Sequence, residues 1–564
     1  MFVHLHVHSE FSFLDGATKA KELVAVAAAL DMPALALTEH NNVASAVRFQ
    51  KLAQKAGLRA IVGCELTVVS GTPALPGTHH LTLLAQDGAG YAQLCRILTH
   101  AHCSRPRGAP AADEETLAKH TGRLIALSGC QRGLIPALIR AGRYSEAMEA
   151  ACRYRDLFGP ENFFLELQNH LLPDDRRMCS LLKELGEQLK IPLVATNNVH
   201  YATREGFRVQ DLLTCMRHLI SLDEPHPERK LNAEYYLKSE AQMRLLFRDY
   251  PEAVAHTETI AARCQPPFTF GVNHFPAFPV PAGETAASFL RRLAYEGAVR
   301  RYGKLTDTIK SRLDHELHII NTLGFADYFL AVWDVVQFAK REGIRHAGRG
   351  SAADSAVAYC LGITAVDSIR RNLMFERFMN LERANMPDID VDFDARRRDD
   401  VSRYVYQRYG GEHVATVCTL NRYRARLAIR EVGKAMGFPE EELDRLAKRM
   451  PHIAADDIRL AIPRYPELRD SHIPVEKLAQ LLDFCEQIAD HPKFLGTHLG
   501  GLVVSREPLL DLSPLQPAAK GVNIVQFDKD DVEELGLIKL DLLCLRTLGA
   551  VDDAMGMLTR SNPA

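Results

Sequence analysis

Short apolar runs alternate with helical periods over the first 200 residues. Residues 33–40 and 58–69 have the continuous apolar pattern of buried strands, and residues 19–31 before them have a helical period. Further strands are predicted at 81–85, 124–129 and 191–201. Strands that alternate with helices predict an α/β barrel or sandwich whose strand ends point one way.

The pattern changes after a proline-rich stretch at 266–284, which is typical of a linker or domain boundary. From residue 285 the pattern is helical, and it continues so to about residue 343. The later elements are a glycine loop at 348–351, a strand at 388–393, a charged helical region at 421–495, two strands at 499–505 and 535–543, and a final helix.

Composition changes this picture little. The 564 residues suggest about three or four domains, and 47% hydrophobic with 25% charged residues is ordinary for a soluble globular protein. With a net charge of -3, any DNA contact would depend on local patches. The 12 cysteines form no CxxC pair, which favours reduced thiols in a cytoplasmic protein. Neither a signal peptide nor a membrane span is predicted.

Residues of metal-binding types lie at the ends of almost every strand predicted in the first 200 residues. His6 and His8 are two apart, so on a strand they share one face. The other candidates are His40, Glu65, His80, Cys130, Asn198 and His200. A single histidine at a strand end is usually structural, but this many together predict a shared site for Zn, Mn or Fe.

The same region resembles the PHP (polymerase and histidinol phosphatase) family through HVHS at 6–9, TEH at 38–40, GCE at 63–65, SGC at 128–130 and NNVHY at 197–201. The resemblance implies a distorted β/α barrel that holds up to three metals, Zn²⁺ or Mn²⁺, on the eight candidates above. In some members such a site performs 3′–5′ exonuclease or phosphoesterase chemistry. Glu39 and Asn198 stand where Asp is usual, so a metal held only for structure is the alternative.

Three aspartates alternate along the strand predicted at 388–393, namely Asp388, Asp390 and Asp392. On one strand face they would repel each other unless a cation intervened, and hard oxygen ligands favour Mg²⁺. Asp541 lies inside an apolar strand, where an unpaired carboxylate is costly. Either a structural salt bridge or a metal shared with Asp390 and Asp392 would account for it.

A turn of small residues at 347–355 leads into a helix about 40 residues before the aspartates. Its backbone N–H groups and the helix N-terminus are predicted to hold a phosphate, and Arg349 adds a positive charge. A glycine loop alone is a weak signal. Together with the carboxylates, it supplies the parts for two-metal nucleotidyl transfer.

Ordered motifs make this half similar to the palm of bacterial C-family DNA polymerases, the DNA polymerase III alpha-subunit type. They are GFADYFL at 324–330, GRGSAADSAVAY at 348–359, LMFERFMNLER at 373–383, MPDIDVDF at 386–393, GTHLGGLVVS at 496–505 and LGLIKLDLL at 535–543. The resemblance implies a polymerase-beta-like nucleotidyltransferase palm with a helical thumb, and a DNA-directed DNA polymerase that uses Mg²⁺ and dNTPs.

The resemblance also assigns roles and regions. Asp390, Asp392 and Asp541 would bind metal, and Gly350 and Ser351, with Arg349 beside them, would grip the triphosphate. Asp388 is the less certain member of the trio. The implied regions are a PHP domain at 1–270, palm at 271–420 and 496–564, and thumb at 421–495.

Basic residues follow the aspartate strand. Arg422, Arg426 and Arg430 are four apart, with Lys434 after them, so they would share a face of one helix. We predict phosphate contacts to a primer–template duplex, and a solvated charged face is the alternative.

Full-length members of that family continue into fingers, a clamp-binding region and an OB-fold. The chain is therefore predicted to be a fragment, a truncated gene product or half of a split polymerase, which would need a separate C-terminal chain and other replisome subunits. VQFDKDDVEELG at 525–536 favours the error-prone, damage-bypass branch, whereas MPDIDVDF favours the replicative branch. The alternatives to a polymerase are a metal-dependent phosphoesterase or exonuclease and a non-catalytic scaffold.

Overall fold

The computed structural model describes residues 1–382, 387–464 and 475–561. They form two compact units. Unit 1 is built from Met1–Phe268, Leu420–Gly496 and Leu510–Pro517, and unit 2 from Thr269–Thr419, Thr497–Leu509 and Ala518–Ala564. The charged helical region is thus part of the same compact unit as the first 268 residues, which its sequence pattern did not indicate.

The strands of the described residues are β1 (Ala34–His40), β2 (Arg59–Val69), β3 (Thr78–Ala85), β4 (Leu124–Leu127), β5 (Phe163–Gln168), β6 (Leu193–Thr196), β7 (His346–Arg349), β8 (Asp390–Asp394), β9 (Val414–Arg422), β10 (Pro492–Val504), β11 (Leu515–Pro517), β12 (Asn523–Val525) and β13 (Ile538–Leu545). All the strands predicted from the apolar runs are confirmed. The strands β5, β7, β9, β11 and β12 were not predicted, and β8 begins two residues later than expected, so Asp388 precedes it.

The α-helices of the described residues are α1 (Ala20–Ala29), α2 (Ala46–Lys55), α3 (Gly88–Cys103), α4 (Glu114–Lys119), α5 (Leu134–Arg140), α6 (Tyr144–Phe158), α7 (Asp175–Leu189), α8 (Phe207–His218), α9 (Glu240–Leu246), α10 (Pro251–Arg263), α11 (Ala286–Tyr302), α12 (Asp307–Thr322), α13 (Ala326–Arg341), α14 (Ala356–Leu361), α15 (Arg398–Tyr409), α16 (Ala425–Ala435), α17 (Glu440–Arg449), α18 (Ile458–Ala461), α19 (Val475–Gln487), α20 (Lys529–Glu534) and α21 (Arg546–Ser561). In those residues no single helix is long and apolar enough to cross a membrane, and the one pair that together has the length and composition, α12 with α13, bends by 113° between its helices.

Unit 1 is a mixed sheet that closes on itself. The described strands follow the order β1-β2-β3-β4-β5-β6, and β3 runs antiparallel to both of its neighbours. The prediction that all strand ends point one way is therefore wrong for β3. The segment from His4 to His8 hydrogen-bonds β1 through Thr38 N to Val7 O at 2.8 Å, and Val199 beyond β6 through His8 N to Val199 O at 2.8 Å. This segment closes the sheet, and the predicted distorted β/α barrel is confirmed.

The helices α16 and α19 bury their apolar faces against α8 within unit 1. The shared core includes Leu212 from α8, Ile429 and Val432 from α16, and Leu481 from α19, all at most 2% exposed. Burial of that many large aliphatic side chains favours this packing by several kcal/mol, at about 25 cal/mol per Å² of apolar surface.

Unit 2 is a second mixed sheet with helices packed on it. Within this unit the described strands follow the order β12-β9-β10-β13-β8-β7. The strand β13 pairs antiparallel with β10 and parallel with β8, and β7 is antiparallel to β8. Val391 and Phe393 of β8 point into a core shared with α11 to α14, which leaves the alternate positions of the strand for Asp390 and Asp392.

Candidate metal centres

Strand register assembles the first cluster in unit 1. His40 lies directly opposite Glu65 in the parallel pair of β1 and β2. In the antiparallel pair of β2 and β3, Glu65 lies opposite Thr82 and Thr67 opposite His80. His80 is therefore a diagonal neighbour of Glu65 on the same face. Because β3 is antiparallel, its first residues lie at the same edge as the last residues of β1.

Glu65 is the centre of this cluster. His80 Nδ1 lies 2.9 Å and His6 Nε2 3.3 Å from Glu65 Oε1, while His40 Nδ1 lies 3.1 Å and His8 Nε2 3.8 Å from Glu65 Oε2. Burial alone would raise the pKa of Glu65, but the charge of His80 and hydrogen bonds from the surrounding imidazoles hold that pKa well below its usual range. Glu65 is thus a carboxylate ready to bind a cation.

The donor atoms of this cluster fit a metal. His6 Nε2 and Glu65 Oε1 are buried, and no neighbour meets either atom with the geometry of a hydrogen bond despite the short distances. His6 Nδ1 is 2.7 Å from Glu166 Oε1 and donates to it, and such a carboxylate orients a metal-binding imidazole. The sets His6, His8, Glu65 and His40, Glu65, His80 each bring one ligand atom per residue within 4.8 Å of the others. Nitrogen and carboxylate ligands of this kind suit Zn²⁺ or Mn²⁺.

The remaining predicted ligands adjoin these two sets. Cys130 Sγ is 3.4 Å from His80 Nδ1, and Asn198 Oδ1 is 3.1 Å from His8 Nε2. The ring of His200 lies 4.6 Å from that of His8. Burial raises the pKa of the Cys130 thiol well above its usual value, so the thiol stays protonated unless a cation binds it. The structure therefore brings all eight predicted residues together.

Two acidic residues of the site were missed. Asp15 Oδ2 lies 3.4 Å from His200 Nε2, in a segment between strands rather than at a strand end. Glu166, the partner of His6, lies on β5, where the alternation FFLELQ was a signal for a strand with Glu166 and Gln168 on one face. Glu39, one of the two departures from the family pattern, accepts hydrogen bonds from the hydroxyls of Ser12 and Ser45.

The second cluster, in unit 2, is a row across four adjacent strands. Gly501 on β10 lies opposite Asp541 on β13, Asp541 opposite Asp390 on β8, and Asp390 opposite Arg349 on β7. Side chains of directly opposite residues project from the same face of a sheet. A Cβ atom at position 501 would lie 2.7 Å from His498 Nδ1 and 3.1 Å from Asp541 Oδ1, so a side chain at this place would crowd both groups.

Three carboxylates lie close together here, two from the row and one, Asp388, from just before β8. Asp388, Asp390 and Asp541 bring ligand oxygens within 4.8 Å of each other, and Asp541 Oδ1 is buried without a hydrogen-bond partner. Burial and the neighbouring carboxylates Asp388 and Asp541 raise the pKa of Asp390 to about 6. These oxygens fit Mg²⁺. Asp392 lies beside them, with its Oδ2 3.7 Å from Arg349 Nε.

Lys539 is a cation that the sequence argument did not include. Its Nζ lies 2.9 Å from Asp541 Oδ2 and 3.4 Å from Asp388 Oδ1. Burial lowers the pKa of Lys539, but the two carboxylates outweigh burial and raise it. The sequence left a structural salt bridge as one explanation of Asp541, and that salt bridge is present through Oδ2. The other oxygen, Oδ1, still lacks a partner.

The glycine loop differs from its prediction in one respect. Arg349, Gly350 and Ser351 are exposed beside Asp390, and Gly350 has a φ of 69°, which favours glycine. The first N–H groups of α14 are already used, because Ala356 N and Val357 N donate to Glu316 at 3.0 Å and Ala358 N donates to Ser355 Oγ at 3.0 Å. The prediction that this helix N-terminus holds a phosphate is wrong.

The basic residues after β9 all have protein partners. Arg422 ends β9 rather than lying on α16, so the prediction that it shares a helix face with Arg426 and Arg430 is wrong. Arg422 pairs with Asp490 at 3.0 Å, Arg426 Nε donates to Met450 O at 2.8 Å, Arg430 pairs with Asp444 at 3.0 Å and Lys434 with Glu440 at 2.6 Å. Exposed ion pairs are worth only about 0–1 kcal/mol, so a phosphate can compete with them.

Comparisons with known proteins match two families in two separate parts of the chain. Residues 4–170 match the PHP domain family, and residues 288–544 match the family described as bacterial DNA polymerase III alpha NTPase domain. The chain is 56% identical to the error-prone DNA polymerase of Symbiobacterium thermophilum, over 98% of this chain and 52% of that protein. It is 38% identical to the DNA polymerase III subunit alpha of Treponema pallidum, over 99% of this chain and 48% of that protein. The chain spans about half the length of the curated relatives it matches.

Proposed function

The chain belongs to the bacterial DNA polymerase III alpha family, and we propose that its unit 2 carries the nucleotidyl-transfer site of a DNA-directed DNA polymerase. The reaction is the template-dependent addition of a dNMP to a primer 3′-OH, in replication or in damage-bypass synthesis. The observation that carries the proposal is the row of Asp541, Asp390 and Arg349 across adjacent strands, beside the exposed glycine loop.

In this proposal Asp390, Asp392 and Asp541 hold Mg²⁺, with Asp388 at the edge of the set. When bound, the metal lowers the pKa of the primer 3′-OH and neutralises charge on the triphosphate. Arg349, with the backbone N–H groups of Gly350 and Ser351, binds the triphosphate from the exposed side of the row. Lys539 balances the carboxylate charge, since its ammonium already contacts Asp541 and Asp388.

We propose the same regional roles that the motifs implied, with palm at 271–420 and 496–564 and thumb at 421–495. Arg422, Arg426, Arg430 and Lys434 would exchange their protein partners for phosphates of primer–template DNA. The proposed partners are DNA and dNTPs, with a separate polymerase chain and other replisome subunits as further partners.

The test is primer extension with Mg²⁺ and four dNTPs, using the wild-type chain, Asp390→Ala, and a double variant with His6→Ala and His8→Ala. We expect extension by the wild type and the double variant, and none by Asp390→Ala. Equal extension by all three proteins would place the activity outside unit 2. No extension by the wild type under any divalent cation would reject the proposal for this chain alone.

The raised pKa of Asp390 predicts an affinity for Mg²⁺ that depends on pH. Because the pKa of Asp390 is raised to about 6, a proton competes with the metal for this carboxylate at lower pH. We expect the Mg²⁺ affinity of the free chain to fall by up to about tenfold per pH unit below that value and to level off above it. Calorimetric titration from about pH 5 to about pH 8 measures this. Asp390→Asn should flatten the profile, and an unchanged slope in that variant would contradict the assignment.

The crowding at Gly501 predicts a specific loss of activity. In Gly501→Ala the new methyl group would lie 2.7 Å from His498 Nδ1 and 3.1 Å from Asp541 Oδ1, so the imidazole must move and the carboxylate must give by a few tenths of an ångström. Small displacements of catalytic groups can cost about 10²-fold, and we expect primer extension to fall by about that factor. Gly411→Ala is the matched control, because a Cβ atom there meets nothing within 4 Å. Equal activity of the two variants would argue against a reacting position for Asp541.

We propose a second function for unit 1, the metal-dependent hydrolysis of phosphoesters, including 3′–5′ exonuclease activity. A specific observation favours it, since the cluster around Glu65 opens into a cavity of about 210 Å³ whose wall carries Arg132, Arg217 and Lys230. A bound Zn²⁺ or Mn²⁺ would supply an activated water there. Release of 3′-terminal nucleotides with Mn²⁺ tests it. We expect loss in the His6→Ala, His8→Ala double variant and retention in Asp390→Ala, and the reverse pattern would reject it.

A further inference from the structure

Two cavities of unit 1 adjoin each other beside the Glu65 cluster. The first, here called the polar cavity, contains Glu65, His80 and Lys230 in its lining, and the second, here called the apolar cavity, contains Pro136, Met178 and Leu182. Each has a volume of about 210 Å³. They share a wall formed by Cys130, Gln131, Gln168, Leu172 and Leu231. Together they reach the range of about 300–1,000 Å³ that is typical of small-molecule sites.

The two cavities differ in charge. Among the described lining residues, the polar cavity has four basic side chains and three carboxylates, whereas the apolar cavity has one arginine and three carboxylates. An anionic group is therefore favoured in the polar cavity and disfavoured in the apolar cavity. Leu231 is 81% exposed and lies in the lining of both, so a ligand from solvent can reach the shared wall.

Lys230 is the cation of the polar cavity that is available to a ligand. Arg229 is held by both oxygens of Asp211 at 2.7 Å. Glu228 pairs with Arg217 at 2.8 Å and with Arg132 at 3.3 Å. Lys230 is half-buried, its Nζ lies 4.4 Å from the centre of the Tyr235 ring, and it forms no ion pair within the described part of the chain. An ammonium that lies over a ring and is not engaged in an ion pair is suited to a phosphate.

The two cavities present buried acceptors that lack donors, one of them, Gln168, in the shared wall. Gln168 Nε2 donates to Glu166 Oε1 at 2.8 Å, which leaves Gln168 Oε1 buried and without a hydrogen-bond partner. Glu166 Oε2, in the lining of the apolar cavity, is likewise unpartnered. His170 donates from Nε2 to Asn197 O at 3.0 Å, and its buried Nδ1 has no partner. Buried acceptors of this kind need an N–H or O–H donor from a ligand or water.

We propose that the two cavities form one site for a nucleoside monophosphate, with its phosphate beside Lys230 and its base between Met178, Leu182 and Pro136 in the apolar cavity. The amino group of an adenine, cytosine or guanine base donates to Gln168 Oε1. A flat apolar ring with edge donors matches apolar walls that carry unpartnered acceptors. The inference deepens the hydrolytic function proposed for unit 1, and rests on it only for the fate of the phosphate.

The test is calorimetric binding to the full chain with divalent ions removed by a chelator, so that no metal-dependent hydrolysis occurs. The ligands are dAMP, 2-deoxyribose 5-phosphate, and 2′-deoxynebularine 5′-monophosphate, which is dAMP without its amino group. We expect dAMP to bind about tenfold more tightly than the sugar phosphate and about fivefold more tightly than the nebularine nucleotide. Equal affinities for dAMP and the sugar phosphate, or no binding of dAMP, would overturn the proposal.

Two variants locate the binding. Lys230→Met keeps the apolar stem and removes the charge, and we expect it to weaken all three ligands by about tenfold. Met178→Trp fills the half-buried edge of the apolar cavity and should weaken dAMP alone. Lys183→Met, a change of an exposed lysine on α7 outside both cavities, is the matched control and should change nothing. Binding of dAMP that survives both site variants lies elsewhere in the chain and overturns the proposal.

If Met178→Trp does not fold, the relative affinities of the wild-type chain for the three ligands still test the proposed nucleotide site. Binding of dAMP with the expected preferences but no hydrolysis of 3′ ends would reject the hydrolytic function and leave the nucleotide site standing. Hydrolysis without a preference for the base would do the opposite.

Discussion

Asp541→Asn is expected to lower single-turnover primer extension by about 10³-fold or more. Asp541 is the most enclosed carboxylate of the unit 2 cluster, with its side chain 6% exposed and its Oδ1 without a partner. Asparagine has nearly the same shape but no charge and one acceptor oxygen fewer, so the change removes a charged metal ligand and the salt bridge to Lys539 with little change in packing. Metal ligands at such sites stabilise transition-state charge by several kcal/mol, and each 1.4 kcal/mol is a factor of about ten in rate.

The matched control is Asp314→Asn, which makes the same change on an exposed helix of unit 2, where the side chain is 48% exposed and pairs with Arg291. That variant should extend primers like the wild type, because exposed ion pairs contribute little. Circular dichroism should show both variants folded. Retention of a tenth or more of the wild-type rate by Asp541→Asn would contradict the role of Asp541 as a metal ligand.

Much of both sites follows from the sequence because strand periodicity is local. His6 with His8, and Asp390 with Asp392, share a face in any extended segment, so their spacing alone predicts their proximity. The apolar runs also locate β1, β2, β3 and β13, and the second part of β10, which begins at Pro492 and not at residue 499. The apolar pattern does not predict the direction of a strand or the strands with which it pairs. The antiparallel course of β3, which brings His80 to Glu65, depends on contacts between segments far apart in the chain.

Residues outside regular elements were harder to predict for the same reason. Asp15 reaches His200 from a loop, and no periodicity marks such a residue. The position of α16 in unit 1 depends on its apolar face meeting α8, which its charged face concealed in the sequence. The use of the α14 N-terminus by Glu316, a residue 40 positions earlier, was likewise invisible because a glutamate within an amphipathic helix is usually solvated.

Glu316→Ala is expected to destabilise unit 2 by about 3–5 kcal/mol, the cost of breaking a buried ion pair. The Glu316 side chain is fully buried, and it pairs with Arg312 Nε at 2.6 Å. It also accepts hydrogen bonds from Ser355 Oγ, Ala356 N and Val357 N at 2.8–3.0 Å. Its removal leaves Arg312 Nε and the backbone N–H groups of Ala356 and Val357 without an acceptor, and each such group is costly when buried. Urea unfolding of the full chain, followed by a probe in unit 2, measures the change.

Loss of the Glu316 contacts should also weaken nucleotide binding, because the same contacts fix the end of the glycine loop. Arg312 donates to Asp354 O at 3.1 Å and to Leu373 O at 2.9 Å, so the pair ties the last residue of the segment Gly350–Asp354 to the chain at Leu373. We expect the KM for dNTPs to rise in Glu316→Gln, which keeps the side-chain volume and folds more stably than the alanine variant. Glu296→Ala breaks the ion pair with Arg292 at the same i,i+4 spacing, but in an exposed pair, and should change stability by less than about 0.5 kcal/mol. If Glu316→Ala and Glu296→Ala lowered the stability equally, the buried pair would not support the glycine loop. If Glu316→Gln raised the KM for dNTPs while the protein stayed folded, Glu316 would be a positioning residue of that loop.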